Sequence, residues 1–436
     1  MKELQNFFTP RTQYDLIQTA QMQNESFEDA MIKYRQSFTC GLTDILVRNY
    51  KKYQKYKVIN AVMNYIGLSI IEENGEGIKY SFQESVTTRF FTGVINCYNQ
   101  WITCRICDAI DTINEQIEEL LTPTPDVNSL ELDPHRAQRF YRGRISQTTL
   151  GKSDMFHIKF KELHKIRNQR FSLVGQPLLY LGASVQCVAE EMHINSMHQE
   201  QIEQLFVSQY TLIENEINKS LAPLFDMRLY IQDSFFEEST DEAVREMQFR
   251  RFLLSCLCSF NNYHNLQNAH FIEEYIIPQL VIQEVRKTKA YSGICYYSTR
   301  FIPEDESTSV QTIRIGRTRA TISDERPIQT IYSAAENYAF FTDKHNDDEP
   351  WDSILRKRFD ITMPVSISEL RRNSISFQGS EDSVLSFECG IKLLDDYYKM
   401  RDAQEKALFT QEWYGAYRKF KKEEKEKNES NNKETE

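Results

Sequence analysis

The feature that most limits how this chain can fold is a change in the spacing of its apolar residues near position 130. Before that point, apolar side chains recur every three or four residues, as on one face of a helix. One such series runs from Phe27 to Ile45 and a second from Phe91 to Ile117. The second series predicts one long helix that ends at the prolines of LLTPTPDV. We therefore predict an all-α domain over residues 1–130.

Beyond position 130 the pattern becomes that of a mixed domain. Short runs rich in tyrosine and β-branched residues, bounded by glycine, proline, serine or aspartate, predict strands. These runs are RFYRGRI, PLLYLGAS, DMRLYI, SGICYYST and ENYAFF. Helical stretches lie between them, at VQCVAEEMH and over residues 242–260 and 271–287. We predict an α+β domain over residues 131–415, followed by a charged, solvated tail over residues 416–436.

The composition of the chain disfavours several classes of protein. Its formal net charge of −11 disfavours a general nucleic-acid binder, because neutralising phosphates needs a basic surface. No apolar run reaches the ~20 residues of a membrane span, and the first residues lack the basic and apolar parts of a secretory signal. Most of the nine cysteines lie among apolar neighbours, which fits a reducing compartment. We therefore expect a cytoplasmic protein that binds neither nucleic acid nor membrane.

A pair of cysteines is the candidate for a metal site. Cys104 and Cys107 form a C-x-x-C, with Cys97 nearby. No second pair of cysteines or histidines at zinc spacing accompanies them, whereas a structural zinc ion needs four ligands. We therefore expect no metal.

Three segments after position 139 carry the argument about function. The first is FYRGR, the second is RNQRFSLVGQPLLYLGASVQCVAEEM, and the third is EEYIIPQLVIQEVRKTKAYSGICYYSTR. Taken singly, their residues have ordinary explanations, such as an exposed arginine, a core tyrosine or a solvated pair of glutamates. Their joint order and spacing favour a ligand site instead.

Together the three segments resemble the RES family, which is named for its arginine, glutamate and serine. The resemblance covers roughly residues 139–345 and follows the order of the family's motifs. An early YR precedes an arginine segment that ends in LY, a serine and a glutamate follow on the next helix, and a G-I-x-Y-x-S strand comes later. The resemblance implies an ADP-ribosyltransferase-like fold. It also implies an enzyme that consumes NAD as a hydrolase or phosphorylase, often as the toxin of a toxin–antitoxin pair.

The resemblance assigns roles to the residues that match the family's motifs. The residues that correspond to catalytic ones are Glu191, Arg142 and Ser298. The residues expected to bind NAD are Arg142, Arg144, Arg170, Tyr180, Ser184 and Glu190. Two alternatives stay open, since Arg144 lies on the same strand face as Arg142 and Glu190 adjoins Glu191. Ser172 stands where many members have asparagine, so that hydrogen bond is not carried over.

Cleavage of NAD needs side chains of these types. A guanidinium holds a pyrophosphate through paired hydrogen bonds, and a tyrosine ring stacks favourably on the cationic nicotinamide. Breaking the bond between nicotinamide and ribose builds positive charge on the ribose, which a nearby carboxylate stabilises. The expected function is therefore an NAD glycohydrolase or phosphorylase that acts as a toxin or defence effector.

Two other functions use the same pocket differently. In one, the pocket transfers ADP-ribose to a macromolecular acceptor instead of to water or phosphate. In the other, it senses a nucleotide without turnover while the helical region binds a partner. The acidic charge and the helical faces favour a protein partner, either an antitoxin or a second copy of the chain.

Overall fold

The structure is a computed structural model that describes residues 1–22, 26–74, 77–135, 138–192, 204–261, 271–300, 313–315, 318–320 and 335–366. Its helices within those ranges are α1 (Lys2–Phe7), α2 (Pro10–Met22), α3 (Phe27–Arg48), α4 (Tyr50–Tyr53), α5 (Lys57–Ile66), α6 (Val86–Ile102), α7 (Ile106–Ile117), α8 (Val185–Glu191), α9 (Glu216–Lys219), α10 (Glu242–Leu257), α11 (Ile276–Thr288) and α12 (Ser353–Arg356). Short 3₁₀ turns cover Glu118–Leu120, Lys152–Met155, Phe160–Lys165, Asp233–Phe236 and Glu273–Tyr275. None of these described helices is long and apolar enough to cross a membrane.

The strands form one large mixed sheet and two small hairpins. They are β1 (Leu68–Asn74), β2 (Gly77–Phe82), β3 (Ser129–Leu130), β4 (Arg139–Ile145), β5 (Leu178–Gly182), β6 (Leu205–Leu212), β7 (Leu224–Asp226), β8 (Gly293–Tyr297), β9 (Ile313–Ile315), β10 (Thr318–Ala320), β11 (Glu336–Phe341), β12 (Phe359–Ile361) and β13 (Val365–Ser366). The order in the large sheet is β12-β6-β4-β5-β11-β8-β7-β3, with β13 also beside β6. β7 and β8 run parallel, and the other pairs are antiparallel. The predicted mixture of α and β structure is confirmed.

One continuous apolar core joins the amino-terminal helices to the sheet. The ring of Phe8 packs against Phe249 and Phe252 of α10, with centroids 6.3 and 5.2 Å apart. The same buried cluster extends to Ile294 of β8 and Ala339 of β11. The domain boundary at position 130 stays a prediction, but the two parts bury their apolar surfaces against each other.

A smaller core covers the opposite face of the sheet. Phe140 of β4 meets Tyr338 of β11 edge-on, with ring centroids 4.8 Å apart. Phe340 and Phe359 complete this ring cluster. Because side chains alternate along each strand, Phe140 and its neighbours face away from the helices that pack on the first core.

The predicted long helix over Phe91–Ile117 is wrong, because the chain turns back within it. Helices α6 and α7 are separate, and Cys104 between them adopts a left-handed backbone with φ of 64°. The two helices pack against each other, and the thiol of Cys97 lies 3.2 Å from the carbonyl oxygen of Ala109. The helical spacing of the apolar residues is right for each half, but it does not reveal the reversal.

Other differences from the sequence predictions are local. A hairpin of β1 and β2 interrupts the helical region, and the end of the region predicted to be all-α contributes β3, which pairs with β7. The run DMRLYI is not a strand, since β7 ends at Asp226. Strand β6 was not predicted. The expected charged tail, residues 416–436, lies outside the described residues.

A buried group of charges ties α10 to the sheet. Arg228 donates to Asp226 and to Glu336 of β11, at 2.8 Å in each case. Burial alone would raise the pKa of Asp226, but the charges of Arg228 and Arg251 and the hydrogen bonds from Arg228 together outweigh burial, so the pKa is lowered. Arg251 of α10 is fully buried and donates to the carbonyl oxygen of Arg228 at 2.7 Å and to that of Tyr230. These bonds fix the start of β11 relative to the end of β7.

A buried histidine supports the second core. His157 is 1% exposed, and its Nε2 accepts a hydrogen bond from the backbone N–H of Asp352 at 3.0 Å. Its Nδ1 lies 2.8 Å from the carbonyl oxygen of Ile158. The ring therefore fits as the neutral form with its proton on Nδ1. Burial lowers the pKa of His157 to about 4.

We expect Gly293→Ala to destabilise the sheet strongly. A β-carbon at position 293 would lie 2.2 Å from the carbonyl oxygen of Ala339 and 2.9 Å from Cα of Phe340. Strands β8 and β11 would have to separate, which should lower the free energy of unfolding by about 3 kcal/mol in urea denaturation. The control is Gly151→Ala, whose β-carbon would meet nothing closer than 3.6 Å. Equal stabilities for the two variants would contradict this account of the pairing.

We expect the contribution of His157 to stability to fall as the pH falls. Its pKa drops from 6.5 in the unfolded chain to about 4 in the fold, so between those values protons bind the unfolded state preferentially. The free energy of unfolding should therefore fall by about 3 kcal/mol between pH 7.5 and pH 4 because of His157. The stability difference between wild type and His157→Gln should shrink over this range in urea titrations at several pH values. A pH-independent difference would refute the assignment.

Candidate functional site

The candidate site is built around Glu191, the last residue of α8. The Ser184 hydroxyl starts this helix by accepting a hydrogen bond from the backbone N–H three residues on, at 3.0 Å. Val188 packs against two glycines, Gly143 of β4 and Gly182 of β5, where a β-carbon would lie 2.6 and 2.9 Å from its methyl groups. The helix therefore lies directly on the face of the sheet that carries these glycines, which fixes the position of Glu191.

Two donors from distant parts of the chain hold one oxygen of Glu191. The hydroxyl of Ser298, just after β8, donates to Oε1 at 2.6 Å. Nδ2 of Asn337 in β11 donates to the same oxygen at 2.8 Å. Both donors are buried. The thiol of Cys187 lies 3.3 Å from Oδ1 of Asn337, which supports the orientation of the amide. The carboxylate is thus aimed by groups that are themselves fixed.

The other oxygen of Glu191 faces an arginine. Nε of Arg300 lies 3.6 Å from Oε2, and the two side chains are 31% and 32% exposed. An ion pair this open to solvent contributes little to stability.

Tyr180 lies on the same face, beside this carboxylate. It is half-buried in β5, and its hydroxyl donates to Ser172 at 3.1 Å. Burial raises the pKa of Tyr180, and the negative charge of Glu191 acts in the same direction. Ser172 thus accepts a hydrogen bond from the tyrosine.

Arg170 is also on this face, but its donors are used within the protein. Its guanidinium lies over the ring of Tyr275 at 5.1 Å. It donates at 2.6 to 3.2 Å to oxygens of four residues, which are Cys258, Phe260, Asn261 and Thr299. Arg170 therefore holds the end of α10 to the segment that follows β8.

Arg142 and Arg144 leave β4 on the opposite face of the sheet. Tyr141 pairs with Gly182 and so shares the face of Tyr180 and α8, whereas the next residue along the strand points the other way. Arg142 reaches the backbone carbonyl of Tyr180 at 2.8 Å. Strand alternation thus starts the two β4 arginines on the face of the sheet away from α8, although the guanidinium of Arg142 lies close enough to the Tyr180 side chain for the two to interact electrostatically.

The guanidinium of Arg142 is unusual in its surroundings. It is half-buried and makes no ion pair with any residue that the structure describes. Burial lowers the pKa of Arg142, and the positive charge of Arg144 adds to this effect. Arg144 is exposed and donates to the carbonyl oxygen of Asp154 at 2.6 Å.

The two adjacent glutamates differ in their contacts. Glu191 has three partners in Ser298, Asn337 and Arg300, as described above. Glu190 has no hydrogen-bonding partner among the described residues, and burial together with the charge of Glu191 raises its pKa. The geometry therefore favours Glu191 as the oriented carboxylate.

Sequence reasoning missed two members of this site. Asn337 lies within the run ENYAFF, which predicts a strand but gives no reason to single out its asparagine. Arg300 ends the third motif segment, two residues after Ser298, and its position close to that candidate serine was the available signal. The sequence spacing of these two residues does not mark them as site residues, because their contacts depend on how the strands pair.

The arrangement suits stabilisation of a positive centre. A carboxylate whose direction is fixed by two buried donors presents its other oxygen at a partly exposed position. Such a group stabilises a cation that develops nearby, because little reorganisation is needed during the reaction. No group of three or more histidine, cysteine, aspartate or glutamate side chains suited to a metal ion occurs within the described residues.

Comparison with known proteins gives one relative. The chain is 28% identical, over 260 residues, to a protein of Bacillus subtilis (strain 168) that bears the name Putative toxin YopC. The match covers 56% of this chain and 48% of the relative, so the chain matches about half the length of that protein. No family model matches the chain, and no solved structure matches it.

Proposed function

We propose that this protein cleaves NAD at the bond between nicotinamide and ribose and that it acts as a toxin. The observation that carries the proposal is the meeting of three distant segments at the carboxylate of Glu191, which Ser298 and Asn337 orient. The motifs follow the order of those in the RES family, whose fold is ADP-ribosyltransferase-like. This resemblance supports the proposed cleavage of NAD. The name of the B. subtilis relative supports the role as a toxin.

Glu191 acts on the ribose. As the bond between the ribose carbon and the nicotinamide nitrogen breaks, both electrons leave with nicotinamide, which becomes neutral. Positive charge develops on the ribose, and the fixed carboxylate stabilises it. Water or phosphate then adds to the ribose carbon, and an added water releases one proton. A macromolecular nucleophile would take the same place in ADP-ribosyl transfer.

Arg300 is the guanidinium best suited to the pyrophosphate. Arg170 is on the correct face, but its hydrogen bonds go to four protein oxygens. Arg142 and Arg144 lie across the sheet from Glu191. The Arg300–Glu191 pair is a third exposed, so phosphate oxygens compete effectively for its guanidinium. Binding of the dinucleotide would then free Oε2 of Glu191 for the ribose.

Tyr180 suits the nicotinamide end of the substrate. Its ring is half-buried in β5, near the charge of Glu191. A cationic ring stacked on it gains from the negative face of the aromatic system. That gain disappears when nicotinamide leaves as a neutral molecule, which favours release of the product.

We expect Glu191→Gln to lower the rate of nicotinamide release from NAD by at least about a hundredfold. The substitution keeps the size and most contacts of the side chain but removes its charge. Glu190→Gln is the matched control, and it should retain activity within about threefold because Glu190 has no described partner. Wild-type protein that releases no nicotinamide with water, phosphate or protein acceptors would remove the proposal.

We expect Asn337→Leu to lower kcat about tenfold with little change in KM, because one of two donors that aim Glu191 is lost. The control is Cys187→Ala, which removes the other contact of the amide and leaves its bond to Glu191 in place. Steady-state kinetics of NAD cleavage provide the measurement. Equal losses for both variants would mean that the amide matters for packing instead of for orientation.

A further inference from the structure

A contact from the amino-terminal helices reaches the segment that carries Ser298. Tyr14 of α2 donates a hydrogen bond from its hydroxyl to the backbone carbonyl of Ser298 at 3.2 Å. Tyr14 is 5% exposed. Burial raises the pKa of Tyr14, and the charges of Arg170 and Glu191 also act on it. Helix α2 therefore approaches the interior of the site, although the family resemblance does not extend to it.

The same helix makes a second contact two turns further on. The side-chain amide of Gln21 donates to the backbone carbonyl of Asn261, and its oxygen accepts from the N–H of Asn261 at 3.2 Å. Asn261 in turn donates to the carbonyl of Thr299 at 2.7 Å and accepts from the Thr299 hydroxyl at 2.7 Å. Because Tyr14 and Gln21 are seven residues apart, they share one face of α2. Their contacts converge on two consecutive residues, Ser298 and Thr299.

We infer that helix α2 is part of the reaction site and that Tyr14 is a positioning residue, which fixes Ser298 and thereby aims the Glu191 carboxylate. The carbonyl that Tyr14 holds and the hydroxyl that bonds Glu191 belong to the same residue. A shift of that backbone moves the hydroxyl away from Oε1. Tyr14 does not touch the substrate, since it is buried behind the segment.

The inference gives the amino-terminal helices a role in the reaction. It rests on the proposed NAD cleavage for its kinetic measurement, and the geometry can be tested separately. If α2 only filled space, loss of the Tyr14 hydroxyl would affect stability without changing the chemical step. If α2 aims Glu191, the same loss lowers the rate at saturating NAD.

The kinetic test compares Tyr14→Phe with Tyr65→Phe in the full chain. Both changes remove one hydroxyl from a tyrosine that is 5% or 3% exposed, but the Tyr65 hydroxyl bonds Glu242, at 2.7 Å, instead of the site. We expect Tyr14→Phe to lower kcat about tenfold with KM within about twofold, and Tyr65→Phe to change neither. In a Ser298→Ala background, Tyr14→Phe should cause no further loss, since it acts through the missing hydroxyl. A further tenfold loss there would overturn the inference.

A second test does not depend on NAD. Amide hydrogen exchange in residues 293–300 should be at least about threefold faster in Tyr14→Phe than in wild type, and unchanged in Tyr65→Phe. Gln21→Ala should accelerate exchange in the same residues, and it replaces Tyr14→Phe in the test if that variant fails to fold. Faster exchange in a protein that does not cleave NAD would remove the proposed function and keep the positioning role. Wild-type exchange in Tyr14→Phe would overturn the inference, whatever the activity.

Discussion

The buried charges of Asp226, Arg228 and Glu336 set the register at the centre of the sheet. A guanidinium taken out of water must keep its carboxylate partners, because an unpaired buried charge costs several kcal/mol, about 3 to 5. Arg228 therefore ties the end of β7 to the first residue of β11. The next residue in β11 is Asn337, so the same constraint fixes where that amide meets Glu191. The geometry of the candidate site therefore depends on buried contacts outside it.

The alternation of side chains along the strands divides the chemistry between the faces of the sheet. Helix α8 packs on the face where Gly143 and Gly182 leave room for Val188. That choice places Glu191 with Tyr180 and puts Arg142 on the far side, joined to Tyr180 through a backbone carbonyl. Arg142 is thus in a different environment from Glu191, with neighbours such as His157 and Tyr210.

The sequence predicts what depends on local pattern and misses what depends on packing. Alternating tyrosine and branched residues predicted β4, β5, β8 and β11, and the serine before α8 is the helix cap that its type favours. The joint order of the motifs predicted that Ser298 and Glu191 belong to one site, and the structure brings the two side chains together. The reversal at Cys104 depends on a left-handed backbone conformation, which a cysteine in a sequence does not predict. The contacts of Asn337 and Tyr14 arise only when segments more than a hundred residues apart come together.

Strand β11 lies between β5 and β8, although it is made long after β5 and after β8. A nascent chain that has left the ribosome only as far as Arg300 has a sheet in two unconnected pieces and lacks the amide that orients Glu191. Tyr14 and Glu191 are then already synthesised, but the strand that unites their surroundings is not. Because folding of the middle of the sheet waits for this late strand, a growing polypeptide has no assembled centre until Glu336–Phe341 has been made. The cell that produces the protein therefore meets the oriented Glu191 carboxylate only after β11 has been made.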